Sequence, residues 1–228
     1  MQARFLIDTP SFVQGTDAEY FRLKAWNNSG LGNLYYHARG MPQPDSPTRA
    51  FHFGSAIHRM ILEPQWWIPE DWKLTPAELK AAEGRANAAA KDVFLTTTIQ
   101  RSRREQICTW KDGETKLPCK IKVDALPPAE FMIDLKTTSA STRLEFLEAC
   151  TKYEYDRQAV MYMDGAKRSR MIFIGIQKRA PYKLYYYEVE PGKRFYEMGH
   201  KKYRKLLSIA AQHGYRYPQA MTGKAATI

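Results

Sequence analysis

The sequence is poor in cysteine, with only Cys108, Cys119 and Cys150 among its 228 residues. An odd count with no close pair excludes a disulfide framework and fits a reducing compartment. It also argues against a four-cysteine iron–sulfur cluster or a cysteine zinc site. No apolar run approaches the roughly 20 residues that a membrane helix needs. The opening string MQARFLIDTPSF lacks a basic segment followed by a long apolar stretch, so no secretory leader is expected. Internal repeats and low-complexity tracts are missing. So is a G-x-x-x-x-G-K-[ST] string, which excludes a fused P-loop ATPase. No G-x-S-x-G turn supports a serine hydrolase.

What is present reads as globular. Hydrophobic residues make up 44% and charged residues 26% of the chain, which excludes wholesale disorder. The length predicts one domain, residues 1–228, with ample material for a core. Charge is unevenly spread. Residues 1–164 carry 21 basic and 21 acidic side chains, whereas residues 165–228 carry 14 and 3. The whole net charge of +11 therefore sits in the last 64 residues. Such density attracts a polyanion, most often nucleic acid. A solvated lysine-rich helix explains the same composition. An anionic membrane is less supported, because no basic amphipathic helix displays exposed Trp or Phe.

Along the chain, residues 40–47 (GMPQPDSP) hold three prolines and read as a loop. Ile57, Ile61 and Leu62 then recur at helical spacing, and Pro64 ends that helix. His58 and Glu63 lie on it or at its end. Thr75-Pro76-Ala77-Glu78 is a capping box that opens an alanine-rich helix to about Lys91. Thr96, Thr97 and Thr98 favour extended structure. Residues 106–111, 119–125 and 131–136 read as strands joined by short turns, and so as an antiparallel meander. Helices are expected over residues 143–150, 153–165 and 195–212, and strands over 171–176 and 184–189. The 171–176 strand, MIFIGI, is apolar enough to lie centrally. The predicted fold is α/β (α+β), with a mixed central sheet flanked by helices.

Two of these strands carry a carboxylate near the end, Asp124 and Asp134, and Lys136 follows Asp134 at i+2. In a strand, i and i+2 share a face, so Asp134 and Lys136 project together. If the meander pairs as expected, Asp124 lies beside them. Converging carboxylates repel unless a cation joins them, and hard divalent ions suit such oxygens. A lysine there can position or deprotonate a water and offset charge on a phosphorane. Asp-x-Lys on a strand is also a common solvated ion pair. By position alone, His58 on an apolar helix is more often a packed core histidine than a ligand. Ser139, Ser141 and Thr142 fit phosphate binding or helix capping.

The string KVDALPPAEFMIDLKTTSAST resembles the core of the PD-(D/E)XK nuclease superfamily, with Asp124 at its first acidic position and Asp134-Leu135-Lys136 at its D/E-x-K element. FHFGSAIHRMILEP resembles the Gly-x-x-x-His helix of the RecE-like (exodeoxyribonuclease VIII) branch. YEYDRQAVMYMDG resembles the Gln-x-x-x-Tyr helix of the wider RecB and lambda-exonuclease group. WNNSGLGNLYYHARGMPQPD is similar to the RecE-like entry region. The likeness runs from about Trp26 to Tyr187, with the motifs in the family's order.

The resemblance implies a Mg²⁺-dependent exodeoxyribonuclease (Mn²⁺ able to substitute) acting on double-stranded DNA ends, 5′ to 3′, and leaving 3′ overhangs for phage-type recombination. It further implies a single-strand annealing partner, a ring-shaped homo-oligomer, and residence in a bacterial host cytoplasm. Carried over by position, Asp124, Asp134, the Leu135 carbonyl and His58 are the expected metal ligands. Lys136 addresses the nucleophilic water, and Gln158 and Tyr162 support the site. Lys167, Arg168, Arg170, Lys178, Arg179, Lys201 and Lys202, with Arg204 and Lys205, become candidates to hold DNA. Glu63 has no assigned role. A non-catalytic annealing module would explain the basic third and the 14 tyrosines, but not acidic groups aimed at one spot. An endonuclease on the same core is the other alternative.

Overall fold

A computed structural model describes residues 10–43 and 48–215. Residues 44–47 of the proline-rich loop, and all residues after 215, lie outside the described residues.

Six strands form one sheet: β1 (Ser11–Gln14), β2 (Arg103–Lys111), β3 (Pro118–Leu126), β4 (Phe131–Thr138), β5 (Arg170–Gln177) and β6 (Leu184–Val189). They lie side by side in chain order. Only β4 and β5 run parallel, and every other neighbouring pair is antiparallel. The mixed α/β sheet and the β2–β3–β4 meander are therefore as expected. Strand β5 is buried, yet it lies one place from the sheet edge rather than at its middle.

Helices cover both faces. Before β2 come α1 (Asp17–Arg22), α2 (Asn28–His37), α3 (Thr48–Leu62), α4 (Pro76–Lys91) and α5 (Val93–Arg101). After β4 come α6 (Arg143–Lys152) and α7 (Tyr155–Ala166), which make the crossover that parallel strands require, and α8 (Arg194–Gln212) closes the fold. One core cluster joins Trp110, Ile121, Val123 and Met132 of the sheet to Phe146, Val160, Tyr203 and Leu207 of α6, α7 and α8. The other joins Ile133, Leu135, Ile174 and Ile176 to Leu62, Ala89, Leu95 and Ile99 of α3, α4 and α5. Helices α7 and α8 approach closely, because a Cβ at Gly199 would run into the Asp156 carbonyl.

One sequence expectation fails. Thr96, Thr97 and Thr98 are helical, not extended. Asp92 caps α5 by accepting from the Leu95 N–H at 2.9 Å. The Thr97 hydroxyl returns to the Val93 carbonyl at 2.5 Å, and Leu95 and Ile99 bury one helix turn apart. Burial and capping override the β-preference of threonine. Elements β1, α1 and α2 were not foreseen in the N-terminal stretch. A capping box at Thr16 and Glu19 starts α1. The capping box at Thr75 and Glu78 is formed as expected. Thr142 is the N-cap of α6.

Candidate metal centre at a strand fork

Strands β2 and β3 pair from end to end except at Glu105 and Asp124, but β3 and β4 share only the pair Ala125–Ile133. One step further in that register, Asp124 stands opposite Asp134, and there the strands have parted. The Leu135 N–H, which a continued ladder would have bonded to main chain, instead donates to Asp124 Oδ2 at 2.7 Å. A carboxylate thus replaces a ladder acceptor, and its position is fixed by the backbone.

Asp134 is held from the other side. Lys136 Nζ reaches both its oxygens, at 2.7 and 2.9 Å, and Gln158 Nε2 of α7 donates to Oδ1 at 2.5 Å. The Lys136 ammonium also lies 4.8 Å from the Tyr155 ring centre. Burial disfavours its charge, but Asp134, Tyr155 and Asp124 outweigh that and raise its pKa above the usual lysine value. Tyr162, one turn after Gln158, hydrogen-bonds to Gln158, and burial pushes its phenol pKa well up.

His58 enters from α3, with Nδ1 at 3.5 Å from Asp124 Oδ2. Burial pushes its pKa down to about 4, against the opposing pull of Asp134 and a hydrogen bond with the Leu135 backbone. The imidazole is therefore neutral and able to serve as a ligand. The same hydrogen bond places the Leu135 main chain at the site.

Glu105 was not foreseen. It falls opposite Asp124 across the β2–β3 pair, between the registered pairs Arg104–Ala125 and Gln106–Val123. Its φ of 52° lies in the left-handed region, unusual for a residue with a side chain. Ligand atoms of His58, Glu105 and Asp124 all lie within 4.8 Å of one another. Asp134 is not in that group, being engaged by Lys136 and Gln158. Lys122, two residues before Asp124, pairs with Glu105 and, at 2.6 Å, with Asp17. Sequence gave one usable signal for Glu105: an acidic residue directly after a run of arginines, opposite Asp124 once the hairpin register is drawn.

The electrostatics show a deficit of positive charge. Burial, then Asp134 and Glu105, push the Asp124 carboxyl well above the usual carboxylate range. Burial likewise raises Glu105, against the Lys122 ammonium. Two carboxylates and a neutral imidazole, half-buried and mutually destabilising, are a donor set that fits a hard divalent cation with open water positions. A cavity of about 140 Å³ opens on them and is also lined by Ser55, Arg59 and Glu63. Glu63 is buried and paired with Arg59.

Among the described residues, no basic side chain after residue 164 lines this cavity. Lys167 pairs with Asp164, Arg170 with Glu188, Lys202 with Asp156 and Glu154, and Arg204 with Asp112 and Glu114. Lys178, Arg179, Lys201 and Lys205 are exposed.

This fold and this fork define a PD-(D/E)XK-type domain. A family model described as a PDDEXK-like domain of unknown function (DUF3799) matches residues 23–225, and the chain belongs to that family. No curated protein matches the sequence. Among solved structures, a presumed exonuclease from Eubacterium rectale superposes with a TM-score of 0.65 at 13% identity, over 95% of this chain and 96% of that one. The alkaline exonuclease LHK-Exo of Laribacter hongkongensis is more distant, with a TM-score of 0.46 at 14% identity over 86% and 95% of the two chains. A phage-related exonuclease from Haemophilus somnus 129PT gives 0.43 at 13% identity over 86% and 95%. At these identities the first likeness is one of fold. Among the described residues, no helix is long and apolar enough to cross a membrane.

Proposed function

We propose that this chain is a metal-dependent exodeoxyribonuclease that degrades linear double-stranded DNA from the 5′ end and leaves 3′ overhangs for phage-type recombination. The observation that carries the reading is the meeting of Asp124, Asp134 and Lys136 at the β3–β4 fork, with His58 and Glu105 against Asp124. Residues 1–228 form one domain in this reading.

Asp124, Glu105 and His58 would hold the cation, Mg²⁺ or Mn²⁺, with Asp134 and the Leu135 carbonyl beside them. When bound, the ion supplies a Lewis acid for the phosphoryl group and lowers the pKa of a coordinated water. The chain's own groups do the rest. Gln158 and Lys136 fix the Asp134 carboxylate. Lys136 stays protonated, so it acts as a cation: it orients the attacking water by donating to its oxygen and offsets negative charge on the pentavalent phosphorus. Tyr162 holds Gln158. The exposed lysines and arginines of residues 165–228 would grip duplex or product strand, and a single-strand annealing protein would receive the overhang. A ring of several chains would keep the enzyme on one DNA end.

The test is digestion of linear duplex labelled at the 5′ or the 3′ end, with Mg²⁺ or EDTA, beside closed circular DNA. Release of the 5′ label from linear DNA alone, stopped by EDTA, is the expected result. Cutting of closed circles would make the chain an endonuclease. Binding without cutting under Mg²⁺ and Mn²⁺ would leave an annealing module.

A further inference from the structure

The segment between α3 and α4 holds two short 3₁₀ turns, Pro64–Trp66 and Pro69–Trp72, each opened by a proline that presets φ. It places Trp72 in the wall of the metal-centre cavity. Trp72 stacks on Trp67, with ring centres 5.7 Å apart and planes 21° apart, and His52 packs against Trp72 at 5.3 Å. Trp72 is thereby fixed. Trp66 is not packed in this way, and it is 64% exposed. Together Trp66 and Trp72 wall a second cleft of about 700 Å³, within the range of small-molecule sites. This cleft is continuous with the catalytic cavity, since Arg59, Glu63, Trp72 and Lys122 line both.

Its charge says what it does not hold. Glu19, Glu63 and Asp71 face Arg59 and Lys122 in the cleft. Glu63 already takes Arg59, Lys122 is shared by Asp17 and Glu105, and Glu19 closes the cap of α1. No surplus of cations is left for a phosphate backbone. An exposed indole in a cleft with three acidic side chains and two cations, both already paired, suits instead the π-face of an uncharged aromatic ring.

We propose that this cleft is a nucleobase subsite, in which Trp66 stacks an unpaired base of the strand being cut while that strand's phosphate lies at the metal centre. The inference rests on the nuclease reading for its choice of ligand. It implies that the stacked base has left the duplex stack before cleavage, because a base inside the stack has both faces covered. It also makes the cleft indifferent to sequence, since every base has a π-face.

The test uses the full chain with Mg²⁺ and linear duplex, intact or with one abasic residue at the terminal positions of the cut strand. Trp66→Ala should raise KM about tenfold with a smaller effect on kcat, in keeping with the strength of base–aromatic stacking. Trp66→Phe should restore most of the loss. The abasic substrate should cost the wild type a similar factor and cost Trp66→Ala nothing more. Equal abasic penalties in both proteins, or an unchanged KM in Trp66→Ala, would overturn the proposal. A second readout does not depend on cutting. In EDTA, a short single-stranded oligonucleotide should quench tryptophan fluorescence, its abasic counterpart should not, and Trp66→Phe should lose that quenching. Base-dependent quenching without cleavage under Mg²⁺ or Mn²⁺ would sink the nuclease reading and keep the base site. Cleavage with neither a Trp66 effect nor quenching would do the reverse.

Discussion

The β2–β3 hairpin carries an acidic cluster at each end, and the two are built to opposite effect. At the turn, Asp112 is buried at 2% exposure, yet Arg204 binds both its oxygens and Thr115 donates through N–H and hydroxyl. Burial alone would raise its pKa, but Arg204 and Thr115 outweigh burial and lower it. At the open end, Asp124 has one backbone N–H and no cation of its own, and its pKa is driven up. One cluster is neutralised by the fold. The other is left short of positive charge, which is how a site that awaits a cation differs from one that holds a helix in place.

The largest effect should come from the open end. Asp124→Ala, Asp134→Ala and Lys136→Ala should each lower the DNA-cleavage rate at least about a thousandfold, measured by end-label release. Gln158→Ala, which only frees the Asp134 carboxylate, should cost about tenfold with little change in KM. If it costs as much as Lys136→Ala, Gln158 touches substrate.

Asp112→Ala should act on stability instead. It leaves the partly buried Arg204 with Glu114 alone, and urea unfolding should show a loss of about 2 kcal/mol, discounted for the exposure of Arg204, equal in EDTA and in Mg²⁺. A loss that vanishes in Mg²⁺ would erase the contrast between the ends.

Asp124→Asn should have a smaller effect of opposite sign. The folded pKa of Asp124 lies above its unfolded value, so the native state keeps a proton that the unfolded chain releases. In EDTA, wild-type stability should therefore fall as pH rises from about 4 through the folded pKa. Asp124→Asn should flatten this limb, leaving the part due to Glu105, and raise Tm at pH 7 by about 3 °C in EDTA. Added Mg²⁺ should raise Tm of the wild type and not of the variant. Asp112 gives the opposite limb: its contribution is present above about pH 4 and is lost as pH falls through its lowered pKa. A monotonic stability profile between pH 3 and 8 would contradict the pairing. A change of similar size but destabilising should follow Thr142→Ala, about 1 kcal/mol from loss of the α6 cap.

Sequence was most legible where periodicity and chemistry coincide. Asp134 and Lys136 share a face because they are two apart on a strand, and Asp124 faces Asp134 because the meander turn is short. Gln158 and Tyr162 share a helix turn. The His58 contact required knowing that α3 packs over the fork, which the motif resemblance supplied and spacing alone did not. Glu105 needed the hairpin register and a left-handed φ, neither visible in composition. The tryptophan wall was missed because Trp66 and Trp72 lie in proline-broken 3₁₀ turns, and Trp67 between them, with no period to read. Threonines misled because their hydroxyls return to helical carbonyls.

Lys120, Lys122 and Asp124 stand two apart on β3 and turn to the same side. Lys120 is wholly buried and donates to the carbonyls of Tyr20 and Leu23 at 2.9 and 2.7 Å, while Lys122 takes Asp17. The strand that presents Asp124 is thus buttoned to α1 by two ammonium groups immediately upstream. A chain trimmed past Leu23 would uncover both, one of them in a place made to keep water out. Residues 16–23 therefore act as a brace for the fork, and removing them should loosen Asp124 as well as take Asp17 out of the cavity wall.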